Sequence, residues 1–158
     1  MSEELGHQPD AGARRAFDTR AVHSAQDRDA ATGAVSVPIY QVSTFDWPDL
    51  EHEPTYDYAR SSNPTRRALE VAIADLEGGY RGFAFASGMA AISSVLATFS
   101  SGDHIVIGSD VYGGTYRVLT QVFSRFGIAA TFVDATDPAR LSEAIRPATK
   151  ALWLETPS

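Results

Sequence analysis

From residue 83 onward the chain repeats one pattern: a short apolar run, then apolar residues at helical spacing, then a glycine or proline. The runs fall at residues 83–86, 104–107, 130–133 and 151–154. Between them, Met89, Ile92, Leu96 and Phe99 mark one helical face. Tyr116, Leu119, Phe123 and Phe126 mark a second, closed by Gly127. Asp137-Pro138 opens a short third helix carrying Leu141, Ala144 and Ile145. Runs this short read as buried strands, and apolar residues three and four apart read as helices. Alternating units of this kind build an α/β fold with a mainly parallel sheet. Ligands of such sheets bind beyond the carboxyl ends of the strands. The turns at Ser87, Asp110 and Glu155 are therefore expected along one edge.

Another helix precedes this alternation. Asn63 suits its cap and Pro64 its first position. Leu69, Ala72, Ile73 and Leu76 form its apolar face, and Gly78-Gly79 stops it. Residues before about Glu53 read as an extended arm. Residues 39–45 alternate at period two, as a short strand or an extended stretch. Such an arm buries little alone and is expected to lie on a neighbouring subunit.

Three segments carry chemistry. Ser87-Gly88-Met89 joins an expected strand to an expected helix. Free backbone N–H groups at a helix N-terminus, aided by the helix dipole, bind anions, and a phosphate is the expected guest. There is no Gly-x-Gly-x-x-Gly fingerprint and no Gly-Lys-Ser/Thr loop. A hydrolase elbow fails because Phe85 and Met89 stand where its glycines belong. The plainer reading is a tight turn and nothing more. In Tyr58-x-Arg60-x-x-Asn63-Pro64-Thr65, Tyr58 and Arg60 project from one side of an extended segment and suit one anion. The alternative is a solvated arginine beside a packing tyrosine. In Asp110-Val111-Tyr112-Gly113-Gly114, the diglycine lets a flat ligand approach and Tyr112 stack on it; otherwise the tyrosine is incidental to a helix start. A flat ring bearing a phosphate satisfies all three segments, and pyridoxal phosphate (PLP) is such a molecule.

Composition narrows the partners. A net charge of −7 argues against nucleic acid and membrane surfaces. The absence of cysteine excludes disulfides and thiolate metal sites, and no metal site is expected. No apolar run has membrane-spanning length. The acidic start Met1-Ser2-Glu3-Glu4 is no secretory signal, so a cytoplasmic location is expected.

The chain resembles the N-terminal part of the Cys/Met-metabolism (trans-sulfuration) PLP-dependent enzymes, the cystathionine γ-synthase and γ-lyase family. The resemblance is carried by Thr19-Arg20-Ala21-Val22-His23, Thr32-Gly33-Ala34-Val35, Pro38-Ile39-Tyr40-Gln41-Val42-Ser43-Thr44-Phe45 and Tyr58-x-Arg60-x-x-Asn63-Pro64-Thr65. It continues through Ala86-Ser87-Gly88-Met89-Ala90-Ala91, Tyr112-Gly113-Gly114-Thr115-Tyr116-Arg117 and Leu154-Glu155-Thr156-Pro157-Ser158. These stretches run nearly end to end in the family's order. The resemblance implies a large domain of the fold-type I, aspartate aminotransferase-like PLP enzymes. Residues 1–55 are then the arm, and residues 56–158 the first part of the PLP-binding domain.

Site roles follow from the same resemblance. Gly88 and Met89 offer backbone N–H groups to the cofactor phosphate, with Ser87 shaping the turn. Tyr58 and Arg60 reach the phosphate in a neighbouring subunit's site, within a homo-oligomer expected to be a dimer of dimers. Tyr112 stacks on the pyridine ring, with a part in proton transfer as a further suggested role. Arg117 positions an amino-acid substrate or anchors its loop, and Glu155 lies near the cofactor edge. The activity implied is γ- or β-elimination or replacement on sulfur amino acids or activated homoserine. Methionine γ-lyases place a cysteine in the Tyr112 loop, which this chain lacks.

The family's Schiff-base lysine has no counterpart here. The one lysine, Lys150, opens a strand, at the end opposite the phosphate turns and roughly 15 Å or more away. The chain is thus expected to be a fragment, cut before that lysine and inactive alone. The alternatives are a catalytically dead relative or a plain phosphate-binding α/β module.

Overall fold

The computed structural model describes residues 15–49 and 51–157, so the expectations for residues 1–4 and for Ser158 lie outside the described residues. It divides into two compact units, one ending at Ala84 and one beginning at Phe85.

The first unit contains α1 (Phe17–His23) and α2 (Pro64–Glu77). Asn63 caps α2 as its sequence predicts: its side chain accepts the Thr65 N–H at 2.9 Å. Gly78 ends the helix in the left-handed region, at φ 65°. The helix α1 is not legible from its sequence, which lacks an apolar stripe. It is held to α2 by polar contacts instead: Arg20 donates to the Asp75 carbonyl, and the Ser24 hydroxyl to the Asp75 carboxylate. Residues 39–45 form an extended stretch with one antiparallel bridge, Thr44 to Tyr58. That stretch is pinned at α2's first turn. The Thr65 hydroxyl donates to the Pro38 carbonyl (2.9 Å) and accepts the Tyr40 N–H (3.0 Å). Asn63 Nδ2 donates to the Tyr40 carbonyl at 3.1 Å.

The second unit holds a parallel sheet of β1 (His104–Gly108), β2 (Ala129–Val133) and β3 (Thr149–Trp153), in the order β2-β1-β3. All of β1 is buried, as expected of a central strand with apolar residues on both faces. The edge strand β3 alternates between half-buried and exposed positions. Helix α3 (Gly88–Leu96) precedes β1, α4 (Gly113–Gln121) lies between β1 and β2, and α5 (Pro138–Ala144) lies between β2 and β3. The core is Leu96, Ile105, Ile107, Leu119 and Ile128. The second helical face is one turn longer than α4. After Val122 it tightens into a 3₁₀ turn, Phe123–Phe126, stopped by Gly127 at φ 81°.

One expected strand is absent. Residues 83–86 form no ladder with any described strand. An apolar run becomes a strand only with a neighbour to hydrogen-bond, and this one is satisfied otherwise. Ala84 N–H donates to Glu70 Oε1 at 3.1 Å. The adjoining Gly82 lies so close to α2 that a Cβ there would fall 2.3 Å from the Glu70 carbonyl oxygen. The turn at Ser87 therefore follows an unpaired segment, whereas the turns after β1 and β3 follow strands.

A polar cluster crosses the amino edge of the sheet. The buried His104 ring places Nδ1 2.7 Å from Thr149 Oγ1 and Nε2 2.9 Å from Thr131 Oγ1. Arg146 donates to both threonines, from Nη2 to Thr131 (3.0 Å) and from its backbone N–H to Thr149 (2.8 Å). Burial, then the Arg146 charge, lowers the His104 pKa.

Candidate active site

The site of the second unit is built where α3 and α4 begin. Ser87 takes the extended conformation of a cap, and its hydroxyl accepts the Ala90 N–H at 3.1 Å. Its oxygen is thus spent on its own helix. The preceding amides, on Gly88 and Met89, have no acceptor among the described residues. A Cβ on Gly88 would meet nothing within 4 Å, so this helix start is open. Two free donors at the positive end of a helix dipole suit a phosphate group.

Tyr112 stands at the N-cap position of α4, at φ −50° and ψ 131° and with no side-chain capping bond, and stays more than half exposed. Its ring lies over Gly114. A Cβ at Gly114 would fall 2.3 Å from Tyr112 Cε1 and 2.6 Å from Met89 Sδ. The missing side chain is what lets the Tyr112 ring and the Met89 thioether meet over the α4 backbone. Met89, Tyr112, Gly114 and Arg117 line one open cleft of about 300 Å³, with Val118 and Gln121 further along α4. Sequence positions 89, 112 and 117, read separately as phosphate turn, stacking ring and substrate arginine, therefore share one wall.

Glu155 follows β3 and reaches back to α4. One carboxylate oxygen accepts the Tyr112 backbone N–H at 2.8 Å. The other accepts the Thr115 hydroxyl at 2.8 Å and the Trp153 indole N–H at 3.1 Å. Burial raises this carboxyl's pKa, but the three hydrogen bonds outweigh it and hold the group below the ordinary glutamate range. Its contacts are thus with the Tyr112 loop. Neither Thr115 nor Trp153 has a role in the site on the sequence reading. Trp153 was within reach of it, because residues two apart at a strand end share a side. Thr115 gave no signal, since its partner lies 40 residues away.

Tyr58 and Arg60 belong to the first unit. The Arg60 guanidinium stands 4.9 Å from the Tyr58 ring centroid, and the Arg60 side chain is exposed. Lys150 is exposed at the amino end of β3, with Glu155 beyond the strand's other end. Among the described residues no cluster of ligating side chains suits a metal ion, and no helix is long and apolar enough to cross a membrane.

Comparison with known proteins adds relatives to this geometry. Residues 18–158 match the family model described as Cys/Met metabolism PLP-dependent enzyme. Over 140 residues the chain is 53% identical to the cystathionine gamma-lyase of Bacillus subtilis (strain 168), covering 89% of this chain and 37% of the relative. It is 54% identical over 142 residues to the same organism's cystathionine beta-lyase MetC, covering 90% of this chain and 36% of the relative. Among solved structures, cystathionine gamma-lyase from Lactobacillus plantarum complexed with L-serine superposes with TM-score 0.86 at 51% identity. That match covers 91% of this chain and 38% of the other. The chain thus spans a little over a third of the length of the relatives it matches.

Proposed function

This chain belongs to the Cys/Met metabolism PLP-dependent enzyme family, and from that premise we propose that the whole protein catalyses elimination or replacement at the γ- or β-carbon of a sulfur amino acid or an activated homoserine. PLP is the cofactor of the family, and the donor set described above fits it. The observation that carries the reading is the cleft lined by Met89, Tyr112 and Arg117, which begins at the start of α3, where the Gly88 and Met89 amides have no acceptor among the described residues. The names of the relatives, cystathionine gamma-lyase and beta-lyase, support the substrate class.

When bound, PLP supplies an electron-poor ring that draws charge away from a substrate's α-carbon. The residues of this chain do the holding and orienting. The Gly88 and Met89 amides take the phosphate, helped by the α3 dipole. Tyr58 and Arg60 add a hydroxyl and a guanidinium to a phosphate, in a neighbouring subunit of a homo-oligomer. Tyr112 covers one face of the ring, and its hydroxyl takes part in proton transfer. Arg117 steers a substrate carboxylate. Glu155 acts through Tyr112, because it bonds that residue's amide and the first turn of α4.

The described segment by itself does not catalyse this reaction, because its one lysine, Lys150, stands at the wrong end of β3. Mixed with PLP, residues 1–158 are expected to develop no visible absorbance band that Lys150→Arg removes. The test of the main reading is Tyr112→Ala in the whole protein. Loss of the stacked ring should weaken PLP binding about tenfold, while inorganic phosphate binds as before. Equal weakening of both ligands, or of neither, would remove the tyrosine from the ring site.

A further inference from the structure

Arg66 is oddly placed for a helix. It stands in the first turn of α2, where the dipole disfavours a cation. Its guanidinium is turned out of the helix and onto the preceding loop. Nη1 donates to the Ala59 and Arg60 carbonyls, each at 3.3 Å, and Nη2 to the Ser61 carbonyl at 2.6 Å. Three successive carbonyls thus converge on one guanidinium. Its Nε lies 3.5 Å from Glu70 Oε1, one turn further along α2. The same Glu70 oxygen accepts the Ala84 N–H. The loop is also closed on itself, with the Ser61 and Ser62 N–H groups both donating to the Tyr58 carbonyl at 2.9 Å. Arg60 makes no ion pair with a described residue.

We propose that Arg66, braced by Glu70, is a positioning residue that holds the loop at 59–61 in one conformation, so that Tyr58 and Arg60 meet a phosphate as a preformed pair. The inference rests on the reading that these two residues bind the cofactor phosphate. The physical case has two parts. A planar fork satisfies several carbonyls at once in fixed directions, which the point charge of a lysine does not. And carbonyl oxygens engaged by Arg66 do not repel an anion arriving at Arg60. Preorganisation of this kind raises affinity by removing an ordering cost from the binding step.

The experiment compares PLP with pyridoxal, which has the ring and no phosphate, in equilibrium binding to the whole protein stripped of cofactor. Arg66→Lys is expected to weaken PLP about tenfold and to leave pyridoxal within about twofold. Combined with Arg60→Ala, it should cost almost nothing further, because the pair it positions is already broken. Glu70→Gln should weaken PLP in the same phosphate-selective way but less, and it carries the test where Arg66→Lys does not fold. Equal weakening of both ligands, or a full additional loss on top of Arg60→Ala, would make Arg66 a merely structural residue. Arg60→Ala alone reports on the underlying reading. If PLP keeps its whole advantage over pyridoxal in that variant, the phosphate pair itself is wrong, whatever Arg66 does.

Discussion

The two units are held together by different means. In the second, Leu96, Ile105, Val106, Ile107, Leu119 and Ile128 are buried, in the central strand and the segments packed against it. In the first, no described helix residue is buried, and Leu69 and Ile73 on the apolar face of α2 are about half exposed. What orders the first unit is a set of directional polar contacts: the Asn63 cap, the Thr65 hydroxyl, the Arg66 fork and the Asp75 clasp. The difference teaches that a helix can be exact in its start and stop and still lack a core. An apolar stripe specifies a face to be covered and does not itself supply the cover.

The sharpest test sets one position in each unit side by side. Ile107→Ala opens a cavity in the core and should cost about 2–5 kcal/mol. Leu69→Ala should cost about 0.5 kcal/mol or less if α2's face stays as open as it stands here. Denaturant unfolding of the whole protein measures both. A Leu69 cost matching that of Ile107 would break the contrast, and would mean that the face is covered in the assembled molecule.

Gly82→Ala probes the first unit's tight spot. A Cβ there meets the Glu70 carbonyl, a backbone atom with little freedom to move. The expected cost is about 1–3 kcal/mol of overpacking, read as a lower melting temperature. A neutral result would show that residues 81–84 sit away from α2.

The smallest effect at neutral pH concerns His104, which is already uncharged there. Its folded pKa is depressed by burial and by Arg146. A depressed pKa gives stability that is complete above the ordinary imidazole value and is lost as pH falls through the folded value. The neutral ring accepts from one of the Thr131 and Thr149 hydroxyls and donates to the other; protonation makes both ring nitrogens donors and removes that one acceptor. The opening free energy of the β1–β3 amides, from hydrogen exchange referred to the intrinsic rate at each pH, should therefore fall on acidification below about pH 6.5, and His104→Gln should flatten that response. An unchanged pH response in the variant would detach the imidazole from the sheet's acid sensitivity.

The sequence by itself determined the punctuation and the pattern. Helix starts at Asn63 and Asp137, stops at Gly78 and Gly127, and three of four strands are local properties, written in residues a few positions apart. Met89 and Tyr112 stand out as candidates for the same reason, since each stands beside a glycine at a helix start, whereas Arg117, in the body of α4, is singled out only by the family resemblance. Tertiary structure alone decided the rest. It withheld a ladder from residues 83–86, because pairing needs a partner strand and composition cannot provide one. It turned Glu155 toward Tyr112, Thr115 and Trp153. It gathered three carbonyls onto Arg66, and a hydrogen bond of that kind depends on where the chain brings two groups together in space, which no local spacing encodes.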